Sequence, residues 1–157
     1  MMRLLTTISV LSALWLTSCL PMTFSHEGVI DFTQYQSVYV QPVELTGSAV
    51  FSDIDTATQS YLIDVLREDA GFRTVTGDST ASTDAVLVVQ LRVDEEIEIR
   101  EGQDLRRYLS RAEFTLRTAS GSAIISGDVS DENDEIRESQ EDALDEVAHF
   151  FLAPYRL

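Results

Sequence analysis

Apolar and polar residues alternate most cleanly between Ala85 and Ile99. Leu87, Val89, Leu91, Val93, Ile97 and Ile99 share one parity, while Gln90, Arg92, Asp94, Glu96 and Glu98 share the other. A period of two marks a strand with one buried and one wet face, so this stretch predicts the clearest strand of the chain. Ala112, Phe114 and Leu116 repeat the alternation between Arg111, Glu113, Thr115 and Arg117, which predicts a hairpin partner. Ala123 to Val129 follow the turn signal Ser120-Gly121 as a third strand. With the hairpin centred near Gln103, Val93 should face Phe114, Leu91 should face Leu116, and Glu96 should lie opposite Arg111. Upstream, Ser37 to Val40 is β-branched and aromatic and stops short of Pro42; Phe72 to Val75 offers a shorter strand, and Glu44 to Phe51 reads as a loop.

Two stretches carry the helical spacing instead. Ile54, Ala57, Thr58, Tyr61, Leu62, Val65 and Leu66 form one stripe, opened by Ser52 or Asp53 as N-cap and closed by Gly71 as C-cap. Ala143, Leu144, Val147, Ala148, Phe151 and Leu152 form another, with an acidic first turn expected over Asp131 to Glu135 and a stop at Pro154. The order β-α-β-β-β-β-α predicts an α+β fold, a two-layer sandwich of a mainly antiparallel sheet with two helices on one face.

The N-terminal residues belong to none of this. Residues 1–18 combine Arg3, an apolar run from Leu4 to Leu16 and the small residues Thr17 and Ser18, the layout of an export signal. The run is shorter than the ~20 residues a membrane span needs. Leu16-Thr17-Ser18-Cys19 resembles the lipobox of bacterial lipoproteins, in which cleavage falls just before a lipidated cysteine. That resemblance implies that Cys19 becomes an acylated N-terminus carrying palmitate-type chains. The expected organisation is therefore a signal peptide at 1–18, a tether at 19–34 and one α+β domain at 35–157.

Composition narrows the function. Cys19 is the only cysteine, so no disulfide and no cysteine-type metal site is available. The chain has no lysine; past the leader 27 acids face 10 arginines, a net charge of −17 with histidine neutral. Such a surface repels phosphate backbones and anionic head groups alike, which excludes nucleic acid as a partner and leaves the acyl chains to hold the membrane.

Little of the remaining chemistry forms a motif. His26 and His149 have no ligand or base at helical spacing, and Asp128, Asp131, Glu132, Asp134 and Glu135 lack the glycine and the spacing of a calcium loop. Asp94, Glu96 and Glu98 share the wet face of a strand rather than the two walls of a cleft, and Glu95, whose parity points inward, is expected to escape beyond the helices. No serine sits in a G-x-S-x-G elbow. The reading is a protein without catalytic residues, cofactor or metal. Val86 and Val88 are apolar on the otherwise polar side of the long strand, and with Tyr39 on its neighbour they form a candidate partner patch.

Asp31-Phe32-Thr33-Gln34-Tyr35-Gln36-Ser37-Val38-Tyr39-Val40 resembles the opening D-F-x-x-Y-x-S-V-x-V of several small proteobacterial envelope lipoproteins. Thr83-Asp84-Ala85-Val86-Leu87-Val88-Val89 resembles their later aspartate-alanine and apolar strand. The element order is similar to that of the lipopolysaccharide-assembly lipoprotein and of auxiliary lipoproteins of lipid-transporting ABC systems. The glycine-phenylalanine-x-leucine-arginine-glycine start of the former is absent after Cys19. The resemblance implies a non-enzymatic assembly or transport accessory that works through protein contacts on the periplasmic side of the outer membrane, the sorting that Leu20 suits. Self-association is compatible with that role. The alternatives are a periplasmic small-ligand or lipid-binding module using the groove between sheet and helices, and an inhibitor of a cationic envelope enzyme.

Overall fold

A computed structural model of the chain describes residues 23–24, 34–49, 55–68, 70–100 and 103–151. The elements run β1 (Thr23–Phe24), β2 (Ser37–Val40), β3 (Glu44–Thr46), α1 (Asp55–Glu68), β4 (Thr74–Thr76), β5 (Ala85–Arg100), β6 (Gln103–Thr118), β7 (Ala123–Asn133) and α2 (Ile136–Phe150). All seven strands join one sheet in the order β1-β7-β6-β5-β2-β4, with β3 beside β5 above β2.

The α+β class and the mainly antiparallel pairing hold, while the element order is corrected and part of the sheet is parallel. The segment read as a loop contains β3, and a two-residue strand β1 precedes β2. The sheet is mixed: β5, β6, β7 and β1 pair antiparallel, but β2 runs parallel to both β4 and β5, and β3 parallel to β5. The cause is α1, which returns the chain to its starting end before β4, so that β2 and β4 must point the same way.

The long hairpin keeps its faces but not its register. Val93 lies opposite Ser110, Leu91 opposite Ala112, Val89 opposite Phe114 and Glu96 opposite Arg107. Strand β5 runs to Arg100 and β6 restarts at Gln103, so the centre sits two residues earlier than expected and each partner shifts by four. An even shift leaves inward and outward faces unchanged.

One core holds the elements together. Val38, Val40, Leu87, Val89, Leu91, Val93, Ala112, Phe114, Leu116, Ile125 and Val129 supply the sheet side; Leu62 and Leu66 come from α1, and Ala143, Leu144, Val147, Ala148 and Phe150 from α2. Phe114 meets Phe150 and Phe151 at ring-centroid distances of 5.0 and 5.7 Å, edge-on to the latter, and Phe72 closes the cluster against Phe151 at 5.4 Å. Helix α1 ends at Glu68, and the N–H of Gly71 donates to the carbonyl of Phe151 rather than capping its own helix. Strand β7 continues to Asn133 through the positions expected to open α2. The side chain of Asn133 accepts from the N–H groups of Asp134 (2.8 Å) and Glu135 (3.3 Å), an Asx turn that hands the strand over to the helix.

Ser37 and Asp84, both within the motifs quoted above, form a latch that sets the parallel register. The Asp84 carboxylate accepts from the N–H (2.9 Å) and hydroxyl (2.8 Å) of Ser37, while the Asp84 N–H donates to the Ser37 hydroxyl oxygen at 2.9 Å. These hydrogen bonds to the charged form hold the carboxyl below the usual aspartate range.

Candidate functional site

The core ends before the hairpin does. Helix α2 has 15 residues and rises about 22 Å, while β5 has 16 residues and spans about 53 Å, so no helix of that length can cover the strand. Val93 and Ser110 are the last fully buried pair on the inward face. Beyond them Ile97 and Ile99, expected in the core from their parity, stand 58% and 73% exposed. On the outward face Leu105 and Leu109 interrupt the polar pattern at 39% and 37% exposure. Among the described residues these four are all the large apolar side chains left exposed, and all lie in the distal half of one hairpin.

The root of this projection is firmly built. Ser139 in the first turn of α2 is buried, with its hydroxyl 2.8 Å from that of buried Ser110 and 3.0 and 3.4 Å from the carbonyl oxygens of Tyr108 and Asp131. On the other side, residues 47–49 close the open edge of β5. Ala49 N–H donates to the Val93 carbonyl (3.1 Å), Ser48 N–H to the Asp94 carboxylate (3.1 Å), and Glu95 N–H to the Ser48 hydroxyl (2.9 Å). Gly47 at φ 110° makes this possible, because a Cβ there would land on the Val93 carbonyl.

Past Glu95 and Tyr108 the ladder has only two strands among the described residues, since β7 pairs with β6 no further than Tyr108 opposite Asn133. The arm is therefore a two-stranded ribbon, residues 96–100 against 103–107, projecting about 17 Å. Salt bridges stiffen its base: Arg106 with Glu95 at 3.3 Å, and Arg107 with Glu132 at 2.6 Å and Glu98 at 4.0 Å. Glu95 lies half-buried at the end of the core, where the helices stop, beside Arg106.

A second feature lies on the helical layer. Ala57, Thr58 and Tyr61 of α1 face Ile136, Gln140 and Leu144 of α2 across a groove of about 270 Å³, with Arg137 and Glu141 on its rim. Tyr61 donates to Asp145 at 2.8 Å. Burial first, then the Asp145 hydrogen bond and the charges of Asp145, Glu141 and Asp142, push the phenol well above its ordinary value. On β7 beside α2, burial and the carboxylates of Asp142, Glu146 and Glu132 raise the Asp131 carboxyl, against a backbone hydrogen bond that lowers it, and its buried Oδ2 has no hydrogen-bond partner.

Of the expected site residues, Tyr39, Val86 and Val88 come together. Tyr39 pairs with Val86 across β2 and β5, Val88 follows on the same outward face, and all three are half-covered. Cys19 lies outside the described residues, as do the leader, most of the tether, His26 and the N-cap positions Ser52 and Asp53. The acids weighed for calcium are engaged separately: Asp128 takes Arg111 at 2.9 Å and Glu132 takes Arg107. Asp94 takes Arg92 at 2.6 Å, which with Ser48 lowers its carboxyl.

No family model matches the chain, and no curated protein matches it. Solved structures do. The PelC dodecamer from Paraburkholderia phytofirmans is similar at 13% identity and a TM-score of 0.60, over 85% of this chain and 99% of that one. A point variant of the same dodecamer gives 14% identity and a TM-score of 0.57, over 86% and 98%. A DUF330 protein from Xanthomonas campestris is a looser likeness, at 11% identity and a TM-score of 0.48 over 74% and 80%. At such identities the likeness is one of fold.

Proposed function

We propose that this chain is a lipid-anchored envelope protein that works without catalysis, as an assembly or transport accessory built from several of its own copies. The observation that carries the reading is the fold likeness to a subunit of a dodecamer across nearly the whole of that subunit. The uncovered arm agrees with it, because a two-stranded ribbon with apolar side chains on both faces is marginal in water unless something packs on it. Anchoring rests on the leader and Cys19. Thr23, four residues on in the sequence, pairs with Asp128 of β7. Outer-membrane sorting rests on Leu20. Tyr39, Val86 and Val88, on the face opposite the helices, remain the patch for an envelope partner.

Fractionation of cells expressing the full chain tests the anchor. Wild type should sediment with outer membranes, and Cys19→Ser should appear in the soluble periplasmic fraction; retention of the variant in membranes overturns lipid anchoring. The groove between α1 and α2 favours a second reading, a small-ligand or lipid module. At about 270 Å³ it falls just below the ~300–1,000 Å³ of ordinary ligand pockets. A small molecule retained in native mass spectrometry of the delipidated protein favours that reading over the first.

A further inference from the structure

We infer that the arm of one copy docks in the α1–α2 groove of the next, making a head-to-tail contact between two different surfaces of the same chain. This deepens the assembly reading above and rests on it.

Charge argues for the occupant. Residues 85–118 hold 6 arginines against 7 acids, whereas the rest of the chain past the leader holds 4 arginines against 20 acids. Two copies therefore repel through nearly every pairing of surfaces except those that use the β5–β6 hairpin. The groove is the matching half. Its floor is apolar at Ala57, Ile136 and Leu144; on its rim Glu141 is paired with Arg137 at 2.6 Å, and the Asp145 carboxylate, which accepts from Tyr61 at 2.8 Å, is the acid left to meet an arginine of the arm. Ile97 and Ile99 supply apolar side chains of a size to fill it, and Arg106 lies on the same face of the arm. A bilayer fits less well: Glu96, Glu98 and Asp104 alternate with the apolar residues, and the exposed apolar groups occupy both faces rather than one.

Because arm and groove are distinct, each copy gives one and receives one. Such a heterologous contact closes into a ring or runs on as a filament.

Cys19 is the only native cysteine and is blocked once acylated, so engineered pairs report cleanly. The full-length chain carrying Ile99→Cys and Ala57→Cys, oxidised in native membranes, should give a ladder of dimers, trimers and higher species, while each single variant gives at most dimers. Absence of the ladder overturns the inference. In parallel, the detergent-extracted chain is sized by light scattering, with Ile97→Asp/Ile99→Asp compared against wild type. The expected result is association weakened about tenfold or more, with unchanged circular dichroism and melting temperature. A wild-type protein that is monomeric at ~100 µM overturns both the inference and the assembly reading. Wild-type oligomers that the double variant leaves intact overturn the docking mode alone. Loss of binding to anionic vesicles in the double variant, with oligomers intact, overturns it in favour of lipid.

Discussion

The buried pair Ser110–Ser139 ties α2 to β6 at the point where the arm leaves the core, and its energetics can be worked from the contacts. Among the described residues Ser139 is the partner of the Ser110 hydroxyl, whereas Ser139 also has the carbonyls of Tyr108 and Asp131 within reach. Ser139→Ala thus strands a fully buried hydroxyl, which costs about 1–3 kcal/mol. Ser110→Ala leaves Ser139 bonded to a carbonyl and should cost about 0.5–1.5 kcal/mol, the net value of one hydrogen bond. In the double variant nothing is stranded at Ser110, so the total should fall short of the sum by about 1 kcal/mol. The tryptophan of this chain, Trp15, lies outside the described residues, so unfolding in urea is followed by far-UV circular dichroism. At a slope near 2 kcal/mol per molar, a loss of 2 kcal/mol moves the midpoint by about 1 M, well within resolution. Additivity within about 0.3 kcal/mol, or a neutral Ser139→Ala, refutes the account.

Two further perturbations probe the arm's surroundings. Gly47→Ala must lift the segment that closes the edge of β5, since φ 110° and the Val93 carbonyl both reject a Cβ. A loss of about 3 kcal/mol, or about 6–12 °C in melting temperature, is expected, with faster amide exchange at Ala49 and Glu95; an unchanged melting temperature refutes it. Asp131 and Asp84 should respond to pH with opposite signs. The raised carboxyl of Asp131 binds its proton more tightly when folded, so it weighs against the fold at neutral pH and ceases to do so below about 3.9. Asp131→Asn should therefore raise the urea midpoint at pH 7, with the gain fading as the pH falls through the raised folded value and gone below about 3.9. The lowered carboxyl of Asp84 contributes stability above about 3.9 and loses it as pH falls through its folded value, so Asp84→Asn should lower the midpoint at pH 7 and have little effect in strong acid. The same sign for both variants at pH 7 refutes the assignment.

What the sequence discloses here divides by the physics that decides each feature. Parity along β5 and β6 is a local property, and it places Leu87, Val89, Leu91, Ala112, Phe114 and Leu116 on the buried face without any knowledge of the partner. The helical stripes behave likewise: Leu62 and Leu66 in α1, and Ala143, Leu144, Val147, Ala148 and Phe151 near the end of the chain, are all buried. Pairing is a property of two segments. Strands β2, β3 and β4 have 4, 3 and 3 residues, too few for any pattern to state whether a neighbour runs parallel. Hairpin register turned on whether Gln103 opens the turn or already pairs with Arg100, a difference that leaves every face intact. The patch residues Tyr39, Val86 and Val88 are brought side by side by the pairing of β2 with β5, whose parallel direction was not legible.

The arm shows why parity alone misjudges burial. Alternation says which way a side chain points, and burial also requires something on that side to meet it. Ile97 and Ile99 point toward the helical layer, but a helix rises 1.5 Å per residue and a strand about 3.3 Å, so a 15-residue helix covers fewer than half of the positions in a 16-residue strand. The length ratio was available from the pattern once α2 had been bounded by its own stripe, and it would have marked Ile97 and Ile99 as beyond cover. A strand extended past its helices exposes backbone edges and apolar side chains together, and both are tolerated only where another surface receives them. In a chain of net charge −16, to which residues 85–118 contribute only −1, the near-neutral hairpin is where a second acidic copy can approach at least electrostatic cost. The uneven distribution of arginine and the overhang of β5 thus point to the same end of the molecule, and they do so independently of any likeness to a known assembly.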